Sequence, residues 1–208
     1  MKKVFCAAPA GQLRNAYVGD RNQTNRFYAR GFVEAADALV DIALTKNPAL
    51  NDQFFSPVCF LYRHASELAL KGLIQQAENV INLRGHAGDA CNPRNLAEVE
   101  KELANTHSLE CLLRWLDKRL RDLIGQVLPA DVRNAILELH SRDPNGQTFR
   151  YANTKNGERH KKFQKTPIVD LGRIRDHLGV AVRFLLEEVG KQLKREEQSC
   201  LVRLCPQP

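Results

Sequence analysis

The sequence predicts an all-α protein: an antiparallel four-helix bundle carrying one short, basic β-hairpin or flap. Three observations predict it. Apolar residues recur at steps of three and four in segment after segment, the signature of amphipathic helices. The last segment repeats Leu171, Ile174, Leu178, Ala181, Leu185 and Val189 with alternating steps of three and four, which is a bundle seam. Hairpin signals gather in a single region, around the Asn156-Gly157 pair.

Taken in order, residues 1–24 read as an irregular arm rich in Gly, Asn and Gln. A first helix follows over Asn25–Leu44, with Phe32, Ala35, Ala36, Leu39, Val40 and Ala43 opposed by Arg30, Glu34, Asp37 and Asp41. Ser56-Pro57 reads as the start of the central helix: a side-chain oxygen for the free N–H groups, then a preset φ. That helix runs to about Ala77 and on toward Leu83, before the loop Arg84 to Asp89. Leu96–Leu103 has a helical pattern. Thr106 or Ser108 caps a further helix whose buried side is Leu112, Leu113, Leu116, Leu120, Leu123 and Ile124. Ala130–His140 makes a short helix, and Asp143-Pro144-Asn145-Gly146 is a turn. Gln147–Tyr151 and His160–Lys165 read as the arms of the hairpin. Arg150, Lys155, Arg159, Lys161, Lys162 and Lys165 face only Glu158, so this is the densest basic stretch of the chain. Asp170 caps the last helix. The helical domain spans 25–195, with the flap at about 143–167 and a tail at 196–208.

The 208 residues suffice to bury a core, and 43% hydrophobic content is ordinary for a globular protein. No apolar run approaches eighteen residues, so no membrane span is expected. Scattered cysteines without Cys-x-x-Cys spacing favour a reducing cytoplasm and speak against a zinc site. A formal charge of +7 and a pI near 9.2 point to an anionic partner, nucleic acid first. No Gly-rich phosphate loop, Gly-x-Ser-x-Gly elbow or Glu-x-x-His pair is present, so neither a metal nor another cofactor is expected.

The central helix carries the chemistry. Val58, Leu61, Ala65, Leu68, Ala69 and Gly72 form its apolar side, and Arg63, His64, Glu67 and Lys71 form a charged stripe with Phe60 and Ile74 among them. The stripe reads either as an ordinary surface pairing of Arg63 with Glu67 or as a polar side facing a cleft or partner. His64 would exchange protons, with Arg63 or Lys71 stabilising a phosphate. His107, at a helix start, reads as a capping residue or as part of an anion site. Asp143 has a complete turn-forming explanation, whereas Arg150 and Tyr151 suit phosphate contact and base stacking. Arg133 and His140, two helical turns apart, form an alternative pair addressing one phosphate.

Tyr62-Arg63-His64-Ala65-Ser66-Glu67-Leu68-Ala69-Leu70-Lys71-Gly72, then Thr106-His107-Ser108-Leu109, then Phe149-Arg150-Tyr151, resembles the HEPN superfamily over about residues 26–192. The resemblance implies a small helical bundle, often dimeric, from prokaryotic toxin–antitoxin, antiviral or RNA-processing systems. It implies either a metal-independent endoribonuclease or a module that has lost activity and acts through RNA or a partner protein such as an antitoxin. The nuclease pattern spaces Arg and His by four to six residues. Here Arg63 and His64 are adjacent, and the only spacing that fits is Arg133 to His140, outside that helix.

Three functions follow as expectations. The first is RNA binding with cleavage. His64 or His140 would move the proton and Arg63 or Arg150 would steady the phosphorane, with Glu67, Lys71, His107 and Tyr151 completing the site. Lys155, Arg159, Lys161, Lys162 and Lys165 would hold the strand. The second is a non-catalytic interaction module, with the stripe buried at an interface. The third is non-specific nucleic-acid binding through the flap.

Overall fold

A computed structural model describes residues 23–46, 50–150 and 168–205, and among these the protein is all-helical, with no strand. Helices α1 (Asn25–Lys46), α2 (Leu50–His86), α3 (Leu96–Asn105), α4 (Leu109–Ile124) and α5 (Ala130–Arg142) precede a long last helix, α6. This helix begins with Leu171–Ile174 and ends with Gly190–Leu204; between them lie two π-type turns, Arg175–Gly179 and Leu185–Val189, separated by Val180–Phe184.

Helix α2 is the axis, packing against α1, α4 and α6. From α1 it receives Ala29, Val33, Ala36, Val40 and Ala43, all essentially inaccessible to solvent. That buried stripe is turned one position from the sequence expectation: Phe32 and Leu39 only flank it, and Ala35 is exposed. Small residues at this seam bring the two backbones close. A Cβ at Gly72 would stand 2.7 Å from Cγ of Arg26 and 3.3 Å from its backbone nitrogen, so only glycine fits.

The start of α2 differs from the expectation. It begins at Leu50, and Pro57 lies inside it rather than at its first turn. An internal proline costs about 3 kcal/mol, and packing outweighs that cost. The added turns bring Phe54 and Phe55 onto the core, with Phe55 edge-on to Phe149 at 6.1 Å, and Asp52 sits in the first turn, where a carboxylate is favoured.

Helix α4 is built as its sequence reads. Ser108 caps it, accepting from the Cys111 amide, and Leu109, Leu112, Leu113, Leu116, Leu120 and Leu123 are buried. It stops at Gly125, whose φ of 66° is the left-handed conformation that glycine tolerates. In α6, Ala181, Leu185, Val189 and Leu193 are buried at successive steps of four. Four residues overshoot an α-helical turn by about 40°, and the widened turn at Leu185–Val189 takes up that drift.

The first arm of the expected hairpin is a turn as far as it is described, not a strand. Asp143 Oδ1 accepts from the amides of Gln147 and Thr148, and Arg150 N–H donates to Gln147 O, so the backbone folds onto itself. Residues 151–167, which hold Tyr151 and the rest of the expected flap, lie outside the described residues.

Candidate functional site

The charged stripe of α2 is turned inward. Arg63 is 2% exposed, Lys71 7% and Glu67 8%, so this is an internal ion ladder and not a solvated surface pair. Charges four apart on one helix reach each other directly: Arg63 Nη1 lies 2.9 Å from Glu67 Oε2, and Lys71 Nζ lies 2.8 Å from Glu67 Oε1. A buried carboxylate requires such partners.

Arg63 is committed to the interior on every side. Its Nη2 donates to the carbonyl of His107 at 2.5 Å and its Nε to the carbonyl of Asp143 at 3.2 Å. Its third nitrogen, Nη1, donates to Glu67. One guanidinium thus ties α2 to the lead-in of α4 and to the turn after α5. That turn wraps it closely, since a Cβ on Gly146 would stand 3.5 Å from Arg63 Nη2. Asp143 itself is fully buried and caps the turn as expected.

The ladder reaches solvent through His107. Its Nδ1 lies 2.9 Å from Glu67 Oε1, yet its side chain is 61% exposed. Ser108, not His107, caps the helix. Burial pushes the Glu67 carboxyl upward, but hydrogen bonds from Lys71 and His107 and the charges of Lys71 and Arg63 outweigh it and hold it below the ordinary carboxylate range. An ionised Glu67 selects the tautomer of His107 that carries its proton on Nδ1. Nε2 is then left as an acceptor.

His64 faces another way. It stacks on Phe60, with ring planes 8° apart and centroids 5.9 Å apart, and meets Phe32 edge-on at 4.5 Å. Burial, helped by Arg150, Arg63 and Lys71 and opposed by Glu67, lowers its pKa and keeps it neutral. The guanidinium of Arg150 lies over the Phe60 ring at 4.9 Å. The structure therefore brings Arg63, Glu67, Lys71 and His107 into one network, and sets His64 and Arg150 in an adjoining aromatic row.

Arg133 and His140 do not share an opening. Arg133 Nε lies 3.3 Å from Asp117 Oδ2, and His140 Nε2 lies 3.8 Å from Glu110. Each faces its own carboxylate on α4. Tyr151, Lys155, Arg159, Lys161, Lys162 and Lys165 lie outside the described residues. A groove of about 770 Å³ lies elsewhere, between the start of α2, α5 and the start of α6, and Glu67, Lys71 and His107 are not among its walls.

Two buried acids, Glu78 and Asp117, escaped the sequence reading, and the partly buried Asp37 it named takes partners of its own. Glu78 is wholly buried, accepting from Trp115 Nε1 at 2.8 Å and from Arg119 Nε at 2.7 Å. Asp37 of α1 accepts from the Tyr62 hydroxyl and pairs with Arg183. Glu78 was findable, because it continues the Arg63, Glu67, Lys71 side of α2 two turns further on. Among the described residues no helix is long and apolar enough to cross a membrane, and no cluster of side chains is suited to holding a metal. No protein-family model, curated protein or solved structure matches the chain.

Proposed function

We propose that the chain is a HEPN-like protein of an antiparallel four-helix bundle that binds RNA and cleaves it without a metal. The observation that carries this reading is the Glu67–His107 pair: a buried carboxylate holding, through Nδ1, an imidazole whose side chain is largely exposed. That is the arrangement of a general base and the group that orients it. His107 Nε2 takes the proton of a ribose 2′-hydroxyl, and the 2′-oxygen attacks the neighbouring phosphorus. The 5′-oxygen leaves and takes a proton from water, and His107 returns its proton to the solvent, giving a 2′,3′-cyclic phosphate and a free 5′-hydroxyl. Arg150, exposed on Phe60, supplies the cation for the phosphate. Arg63 becomes a positioning residue, because its donors are already engaged within the fold. Lys155, Arg159, Lys161, Lys162 and Lys165 would hold the strand. The HEPN resemblance further implies a cytoplasmic homodimer in a defence or toxin–antitoxin setting.

A second reading is favoured by a specific observation, the 2% exposure of Arg63. If the ladder serves only to lock α2 to the neighbouring segments, the chain is an interaction module and the activity belongs to a partner protein. Mixed RNA incubated with purified protein in EDTA separates the two. The nuclease reading expects cyclic-phosphate ends and a loss of about 100-fold or more in His107→Gln. The interaction reading expects no cleavage by the unaltered chain.

A further inference from the structure

Of the two large apolar residues among the charged stripe of α2, Ile74 is sealed in the core and Phe60 is not. It is half-buried and stands at the centre of a row drawn from three parts of the chain. The Arg150 guanidinium lies over its ring, His64 stacks parallel to it one helical turn on, and Phe32 of α1 meets His64 edge-on. Phe32 and Phe60 pack against the edge of the core. Here Phe32, Phe60 and His64 are each partly open, and Arg150 is exposed.

The chemistry of the row is specific. Arg150 makes no side-chain hydrogen bond to any described residue, so its N–H edge remains available while its flat face rests on the ring. Flat uncharged rings beside an uncommitted guanidinium match the two surfaces of an unpaired nucleotide, its base face and its phosphate. A duplex hides its base faces and offers only the second.

We propose that the Arg150–Phe60–His64–Phe32 row is a stacking platform for unpaired bases, which makes single-stranded RNA the substrate class of the adjoining Glu67–His107 pair; it rests on the RNA reading above. Glu67 lies one helical turn from His64, so a base on the row would present its backbone near the proton-handling end of the ladder.

The test is binding of the full chain to a fluorescein-labelled 2′-O-methyl oligoadenylate 12-mer, which lacks the attacking hydroxyl, and to a 12-base-pair duplex of the same chemistry. Phe60→Leu keeps apolar bulk and removes the ring. It should weaken single-strand binding by about fivefold or more while duplex binding stays within about twofold. His64→Gln should give the same pattern, and Phe60→Tyr should restore single-strand affinity. Equal losses on both RNAs, or no loss in either variant, would overturn the platform and leave RNA binding standing. So would a dimer that Phe60→Leu splits into monomers with single-strand affinity unchanged, which would assign the row to contact between copies. If the unaltered protein binds neither RNA, the RNA reading fails and the platform with it.

Discussion

Glu67 Oε1 on α2 stands 2.9 Å from Nδ1 of His107, forty residues later and just before the cap of α4. The same oxygen receives Lys71, and its twin receives Arg63. A single carboxylate thereby joins an internal ion ladder to an imidazole open to solvent. Stability and the proposed chemistry meet at that atom, and the two can be separated by mutation.

Arg63→Ala should destabilise the fold by about 3–5 kcal/mol, because it takes the partner of one oxygen of a buried carboxylate and leaves two carbonyls without their donor. Arg63→Lys should recover only part of the loss, since one ammonium cannot replace a planar fork reaching three acceptors. Urea unfolding followed by the fluorescence of Trp115, the only tryptophan, reads both variants. A loss below about 1 kcal/mol for the alanine variant would show that the ladder is not a structural tie.

Arg119→Met should cost about 3 kcal/mol, because Glu78 is fully buried and would keep only Trp115 as a donor. Adding Glu78→Gln should return much of it by removing the stranded charge. A double-mutant cycle checks this: strictly additive losses would mean that the two side chains do not interact.

Gly190→Ala should destabilise by about 1–3 kcal/mol. Its Cβ would overlap the guanidinium of Arg26, which is held there by Gln76 Oε1 and the Leu186 carbonyl, each at 2.8 Å. In an Arg26→Ala background the same change should be nearly neutral. Equal costs in the two backgrounds, measured by thermal unfolding, would rule out that clash as the cause.

Acid should weaken the fold in two stages. His64 has a lowered pKa in the folded protein, so the unfolded chain takes up that proton first, and stability falls as pH drops below about 6.5. Glu67 is also held low, so the stability it gives is present at neutral pH. That part is lost as pH falls through and below about 4.3. Thermal midpoints between pH 8 and 3 should show both stages, and His64→Gln should remove the first alone. An unaltered upper stage in that variant would place its origin elsewhere.

Much of the fold was legible because helices announce themselves locally. The α4 seam, its Ser108 cap and the Asp143 turn depend on residues within a few positions of one another. The start of α2 was not legible: Phe55 repays an internal proline by meeting Phe149, ninety-four positions away, and no local signal carries that contact. The ladder shows the same limit. Spacing placed Arg63, Glu67 and Lys71 on one side of a helix, but burial of that side is set by the lead-in of α4 and the turn after α5. The different settings of His64 and His107 also follow from tertiary placement, since Phe32 and Phe60 flank one ring while Glu67 holds the other.

The central claim is most directly tested by single-turnover cleavage of unstructured RNA in EDTA by the unaltered protein, His107→Gln, Glu67→Gln and the double variant. If Glu67 acts through His107, each single change slows cleavage by about 100-fold or more and the double variant is no slower than His107→Gln. Cleavage that survives His107→Gln, or an unaltered protein that cuts nothing, would contradict the account.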